Sequence, residues 1–196
     1  MHPPAPTRSA QMRGPSIRTA VAGLFVALFA AMLAACSTAP PAGLQPVTPF
    51  AIDRYLGRWY EIARLNHSFE RGLSDVNATY QLQDDGSVKV INRGYDTQRK
   101  TWKEAIGRAR FNGASDVGSL KVSFFGPFYG GYHVIALDPD YRWSLVAGPD
   151  RDYLWILSRD KTLPADVRAR LIDRASALGF ATDKLIWVEQ QRTDLD

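Results

Sequence analysis

Between about residue 56 and residue 158 apolar and polar side chains alternate with a period of two. Val76, Ala78, Tyr80 and Leu82 alternate with Asp75, Asn77, Thr79 and Gln81, and Asp84-Asp85-Gly86 follows as a turn. Val88 and Val90 flank Lys89. Ala105, Gly107, Ala109 and Phe111 alternate with Glu104, Ile106, Arg108 and Arg110, and Leu120, Val122 and Phe124 with Lys121 and Ser123. Further strand-like runs occupy 57–64, 132–137, 143–147 and 153–158, with Asp138-Pro139-Asp140 and Gly148-Pro149-Asp150 as breaks. This period places successive side chains on opposite faces of a strand. Connections this short favour antiparallel neighbours, because parallel pairs need long crossovers. About eight such strands, each with one apolar face, predict an all-β, up-and-down antiparallel β-barrel, whose closure removes exposed edges.

The period changes near the C-terminus. Val167, Leu171, Ala175 and Leu178 fall on one face of a helix that Pro164 opens and Gly179 ends. One C-terminal α-helix is therefore expected to pack outside the barrel. Leu185-Ile186-Trp187-Val188 suits a last short strand.

The N-terminal region follows different rules. Ala20 to Ala35 is an unbroken apolar or small run behind Arg8, Arg13 and Arg18, the order of a secretory signal. It ends in Leu33-Ala34-Ala35-Cys36, which resembles the lipobox of bacterial lipoprotein precursors. That resemblance implies removal of residues 1–35 and acylation of Cys36, the chain's sole cysteine. Residues 36–52, rich in Pro and Ala, are then expected to be a flexible tether to a domain at 53–196. Ser37 after the cysteine favours the outer membrane by enterobacterial sorting rules, with the domain facing the periplasm.

Charge adds one exclusion. The pI near 9.3 suggests an affinity for nucleic acid. Yet three of the 24 Lys+Arg precede Cys36, leaving 21 against 20 acids in the remainder. No strong basic excess survives processing, so nucleic acid is not an expected partner. A single cysteine excludes an intramolecular disulfide.

Three motifs resemble the lipocalin family, in order and at its spacings. Gly57-Arg58-Trp59 resembles the first-strand signature, Asp138-Pro139-Asp140-Tyr141 a later turn motif, and Arg159 the late-strand arginine. Arg71-Gly72-Leu73, Phe124–Tyr132 and Gly148–Arg159 look like the bacterial subgroup, and the resemblance covers about 53–190. Pro139 departs from the family's usual threonine. The resemblance implies a barrel whose closed floor is made by Trp59 and Arg159, with the motif residues structural. It also implies a small hydrophobic ligand inside, such as a fatty acid or lysophospholipid.

The alternation then nominates inward, ligand-facing positions: Val76, Ala78, Tyr80, Ala105, Ala109, Val122 and Phe124, with Val134 and Ala136 as companions. If Arg159 is at the floor, Leu157, Trp155 and Tyr153 share its face. Phe128, Tyr129 and Tyr132, in a glycine-rich stretch, suit either an apolar portal or a contact with another protein, a homodimer included. His67 and His133 lack metal-ligand spacing, and neither a metal nor a cofactor is expected. No nucleophile elbow is visible, and the cysteine is committed to the anchor, so an enzyme is not expected, although Glu61 offers one inward carboxylate. A filled barrel serving protein interaction is the alternative to a ligand carrier.

Overall fold

A computed structural model describes residues 38–192. The signal segment at 1–35 and Cys36 lie outside the described residues. A short helix α1 (Ile52–Tyr55) precedes eight strands: β1 (Gly57–Arg64), β2 (Leu73–Leu82), β3 (Val88–Asp96), β4 (Thr101–Phe111), β5 (Ser119–Phe125), β6 (Phe128–Leu137), β7 (Trp143–Ala147) and β8 (Leu154–Ser158). Helix α2 (Ala165–Ala177), a 3-10 turn (Thr182–Lys184) and the short β9 (Ile186–Trp187) follow. All strand pairs are antiparallel. Sequential neighbours pair from β2 to β8, and β1 joins β8 to β2, closing the barrel; β9 adds to β1 outside the ring.

The alternation separates two apolar cores. Trp59, Tyr80, Val90, Ala109, Leu120, Val134, Val146 and Leu157 meet inside the barrel. Ile62, Ile135, Leu145, Leu154 and Ile156 point outward and pack against Val167, Leu171 and Ala175 of α2. The helix therefore sits where its apolar stripe predicts. Gly179, at φ +84°, takes the left-handed conformation that ends it.

Residues 38–50 correct the expectation of a flexible tether at 36–52. Val47 donates its N–H to Val134 O and accepts from Gly118 N–H, and Phe50 N–H donates to Asp116 O. Leu44 is buried in the outer core and Phe50 in the inner one. The Arg151 guanidinium donates to Ala42 O and to Leu178 O at the helix end, each at 2.8 Å. The Asn112 side chain donates to Thr38 O. The segment lacks a strand period, yet its backbone groups and two apolar side chains find partners on the barrel, and this ties it down.

Among the described residues the strand pairing has four register shifts, and two of them change which residues of β1 and β6 face the interior. One lies between Glu61 and Ala63 on β1, the other between Val134 and Ala136 on β6. A bulge sets two residues against one, so positions beyond it change face.

Candidate functional site

The closed end is built from the motif residues. Gly57 has φ +87°, and a Cβ there would stand 3.5 Å from the Arg159 guanidinium. A glycine at this point lets β1 begin beside the arginine. The Arg159 guanidinium lies 3.9 Å above the Trp59 ring, and the Trp59 indole N–H donates to Tyr55 O at 2.8 Å. Asp138 accepts the amides of Asp140 and Arg142, which shapes the turn between β6 and β7. Tyr141, at φ +60°, places its hydroxyl to accept Ala51 N–H, while Arg54 stacks on its ring and donates to Pro139 O. Phe50 packs on Tyr55, Phe111 and Tyr141 and completes the seal.

Above this floor three tyrosine hydroxyls form a chain. Tyr132 OH lies 2.8 Å from both Tyr55 OH and Tyr80 OH, and Tyr55 OH lies 3.0 Å from Ser144 Oγ. Burial raises all three phenols, Tyr55 to about 12, so the chain stays neutral. Tyr132 is thus an interior residue, which corrects its assignment to the portal. Leu120 opposite it points inward, and strand parity carries Tyr132 in as well.

The inward face of the barrel is not tightly packed at every position. Ala78, Val122, Phe124, Tyr132 and Trp155 all point inward, yet each keeps surface that water can reach. Gly130 pairs with the inward Val122, and a Cβ built on it meets nothing within 4 Å. Not every small residue leaves room. The Phe124 ring covers Gly107, where a Cβ would come within 2.9 Å of it. Ala105 shares the phase of Gly107 and Ala109 but is exposed, because β4 there extends beyond its pairing with β5. Ala136 faces outward, a correction caused by the β6 bulge. It pairs with the outward Leu145 and lines a separate cavity of about 400 Å³ between the sheet and α2, beside Val167 and Leu171.

Near the open end, the β1 bulge brings Arg64 to the inside with Glu61. Arg64 faces Trp155 across the sheet, and its guanidinium contacts the Glu61 carboxylate at 2.6 Å. It also donates to Glu70 O and Leu73 O, pinning the loop between β1 and β2. The Trp155 indole donates to Glu70 Oε2, and His67 Nδ1 stands 3.1 Å from the same oxygen outside hydrogen-bond geometry. Burial first, then the Glu70 charge, holds the Glu61 carboxyl well above the usual range, with Arg64 opposing. The His67 ring lies nearly parallel to those of Phe69 and Tyr153, which also stack on each other.

Sequence reasoning identified Glu61 but missed Arg64, Glu70, Tyr55 and Phe50. Arg64 was hidden because alternation from Trp59 sends residue 64 outward until the bulge is counted. His133 is fully buried on the outward face with Nδ1 3.0 Å from Ser119 Oγ, and burial lowers it to about 4. Among the described residues no three His, Cys, Asp or Glu side chains form a metal-holding cluster.

At the rim, Phe128 is 65% and Phe125 81% exposed, and they pair across the hairpin. Tyr129 lies under the Lys121 ammonium. Phe69 adds a third exposed phenylalanine at this end.

Comparison with known proteins gives a consistent picture. Residues 50–190 match the model of a lipocalin-like domain. The chain is 55% identical over 160 residues to the outer membrane lipoprotein Blc of Escherichia coli K12, covering 81% of this chain and 90% of that protein. It is 47% identical over 169 residues to the protein of the same name from Vibrio cholerae, covering 86% and 98%. Among solved structures, insecticyanin from the tobacco hornworm Manduca sexta superposes with a TM-score of 0.62 at 20% identity, covering 79% of this chain and 87% of that one.

Proposed function

The chain belongs to the lipocalin-like family, and on that premise we propose that it binds and carries a small hydrophobic ligand in its barrel. The observation that carries this reading is the incompletely packed inward face at Ala78, Val122, Gly130 and Trp155, with a floor sealed by Trp59 and Arg159. Apolar walls favour an acyl chain, whose transfer from water contributes about 0.8 kcal/mol per buried CH₂. A single-chain amphiphile, a fatty acid or a lysophospholipid, suits a pocket closed at one end.

Bacterial relatives are named outer membrane lipoproteins. In the same membrane, residues 1–35 would be removed and Cys36 acylated. Two or more acyl chains give the stable anchoring that one chain does not. The barrel then works on the periplasmic side, beside a source of its ligand. The relatives are binding proteins by family, and the only cysteine is assigned to the anchor, so the reading is of a carrier rather than an enzyme.

Native mass spectrometry of delipidated protein, titrated with a fatty acid and a lysophospholipid, tests the proposal. One saturable ligand per barrel is expected. No saturable complex with either amphiphile would reject it.

A further inference from the structure

One flank of the barrel combines features that the ligand cavity does not use. The outward positions of β3, β4 and β5 carry five basic side chains, Lys89, Arg93, Arg108, Arg110 and Lys121, and one acid, Glu104. Asp85, in the preceding turn, pairs with Arg108 and Arg110. The excess is three positive charges.

Between these cations the same face presents apolar and aromatic groups. Ile106 is 54% exposed. It shares the face of Arg108, two residues on, and beyond Ser123, the partner of Arg108, Phe125 pairs with Phe128. The Arg93 guanidinium lies over the Trp102 ring. Cations around exposed large apolar side chains form the pattern of a surface that meets a bilayer interface: rings sit at headgroup depth, and basic side chains attract anionic lipids.

Thr38, the first described residue, is held at the edge of this face. Asn112, just past the end of β4, holds Thr38 O. One residue, Ser37, separates Cys36 from Thr38 in the chain, a covalent reach of about 7 Å. An acyl group there holds the lower end of the β4–β5 flank at the membrane, and Phe125 and Phe128 mark its upper end.

We propose that the outward face of β3–β5 docks on a lipid surface bearing anionic headgroups, so that the barrel lies on its side with its mouth at the bilayer. The anchor's position rests on the acylation proposed above; the charge and apolar character of the face do not.

The test uses mature, lipid-anchored protein in vesicles of phosphatidylcholine with phosphatidylglycerol. A spin label is placed at Ile106→Cys, or at Asp173→Cys on α2 as a control; acylated Cys36 does not compete for it. The Ile106 label should gain accessibility to oxygen over a water-soluble nickel chelate severalfold, while the Asp173 label stays aqueous. Vesicles of phosphatidylcholine alone, high salt, or charge reversal at Lys89 and Lys121 should return the Ile106 label to water. Charge reversal at Arg108 and Arg110 should do the same, and the two pairs together guard against a folding artefact. Labels that are equally aqueous in anionic vesicles overturn docking. An unchanged signal after charge loss overturns recognition of anionic lipid. Spin–spin broadening between copies would instead make the face a dimer interface and reject the proposal. Protein mass reports Cys36 acylation independently, and vesicle co-sedimentation persists through the anchor alone, so failure of the anchor and failure of the face are distinguishable.

Discussion

The Arg159 guanidinium lies 3.9 Å above the Trp59 ring while its nitrogens donate to the carbonyls of Arg54, Arg58 and Tyr141. One side chain thus satisfies backbone acceptors from α1, β1 and the turn between β6 and β7, and covers the largest aromatic of the floor. Replacing Arg159 with Lys keeps the charge but loses the planar fork that reaches all three carbonyls. The expected cost is about 2 kcal/mol, read as a lower urea midpoint at unchanged slope.

Gly130→Phe should separate binding from stability. A Cβ there meets nothing within 4 Å and directs the ring into the barrel, so unfolding free energy is expected to change by no more than about 1 kcal/mol. Affinity for an acyl ligand should fall more than tenfold, as read by titration of delipidated protein. Gly107→Ala is the contrasting case, because its Cβ would meet Phe124 and Ser123 O at under 3.0 Å. That variant should lose about 1–3 kcal/mol of stability.

His133 gives the fold an acid-sensitive element. Its native value is about 4 against an ordinary 6.5. Below 6.5 the unfolded chain takes up a proton that the native protein refuses, so stability falls as pH drops toward 4 and levels off below it. The full effect is about 3 kcal/mol. Glu61 acts in the opposite direction: with its carboxyl raised, its contribution is complete below the ordinary carboxyl value and fades as pH rises through the native one. Because Glu61 opposes His133 in this range, the His133 part is read by difference: in urea unfolding from pH 7 to 4, the stability of the wild type relative to His133→Gln should fall.

The segment at 38–50 should behave as part of the domain. Arg151→Ala removes the donors to Ala42 O and Leu178 O. It should cost about 1–2 kcal/mol and speed limited proteolysis within 38–50, with cleavage mapped by mass spectrometry.

Much of this architecture was legible from residue order. Strand alternation works wherever one face is apolar and the other polar, as in Val76–Leu82 and Ala105–Phe111, and the α2 stripe at Val167, Leu171 and Ala175 is equally plain. The ordered motifs located the floor. Bulges were not legible, because one inserted residue leaves composition unchanged while reversing every face beyond it. Ala136 therefore appeared inward, Arg64 outward, and the Glu61–Arg64 pair went unseen. Tyr132 was grouped with the glycine-rich portal although its register with Leu120 takes it inside. Phe50 and Leu44 lie in a Pro/Ala-rich stretch with no period, so only tertiary contacts reveal them as core.

Crystals of delipidated protein grown with a lysophospholipid brominated midway along its acyl chain test the carrier proposal most directly. A bromine anomalous peak inside the barrel, between Val122, Gly130 and Trp155, is the result expected. A peak confined to the cavity beneath α2, or an interior without bromine at saturating ligand, would contradict it.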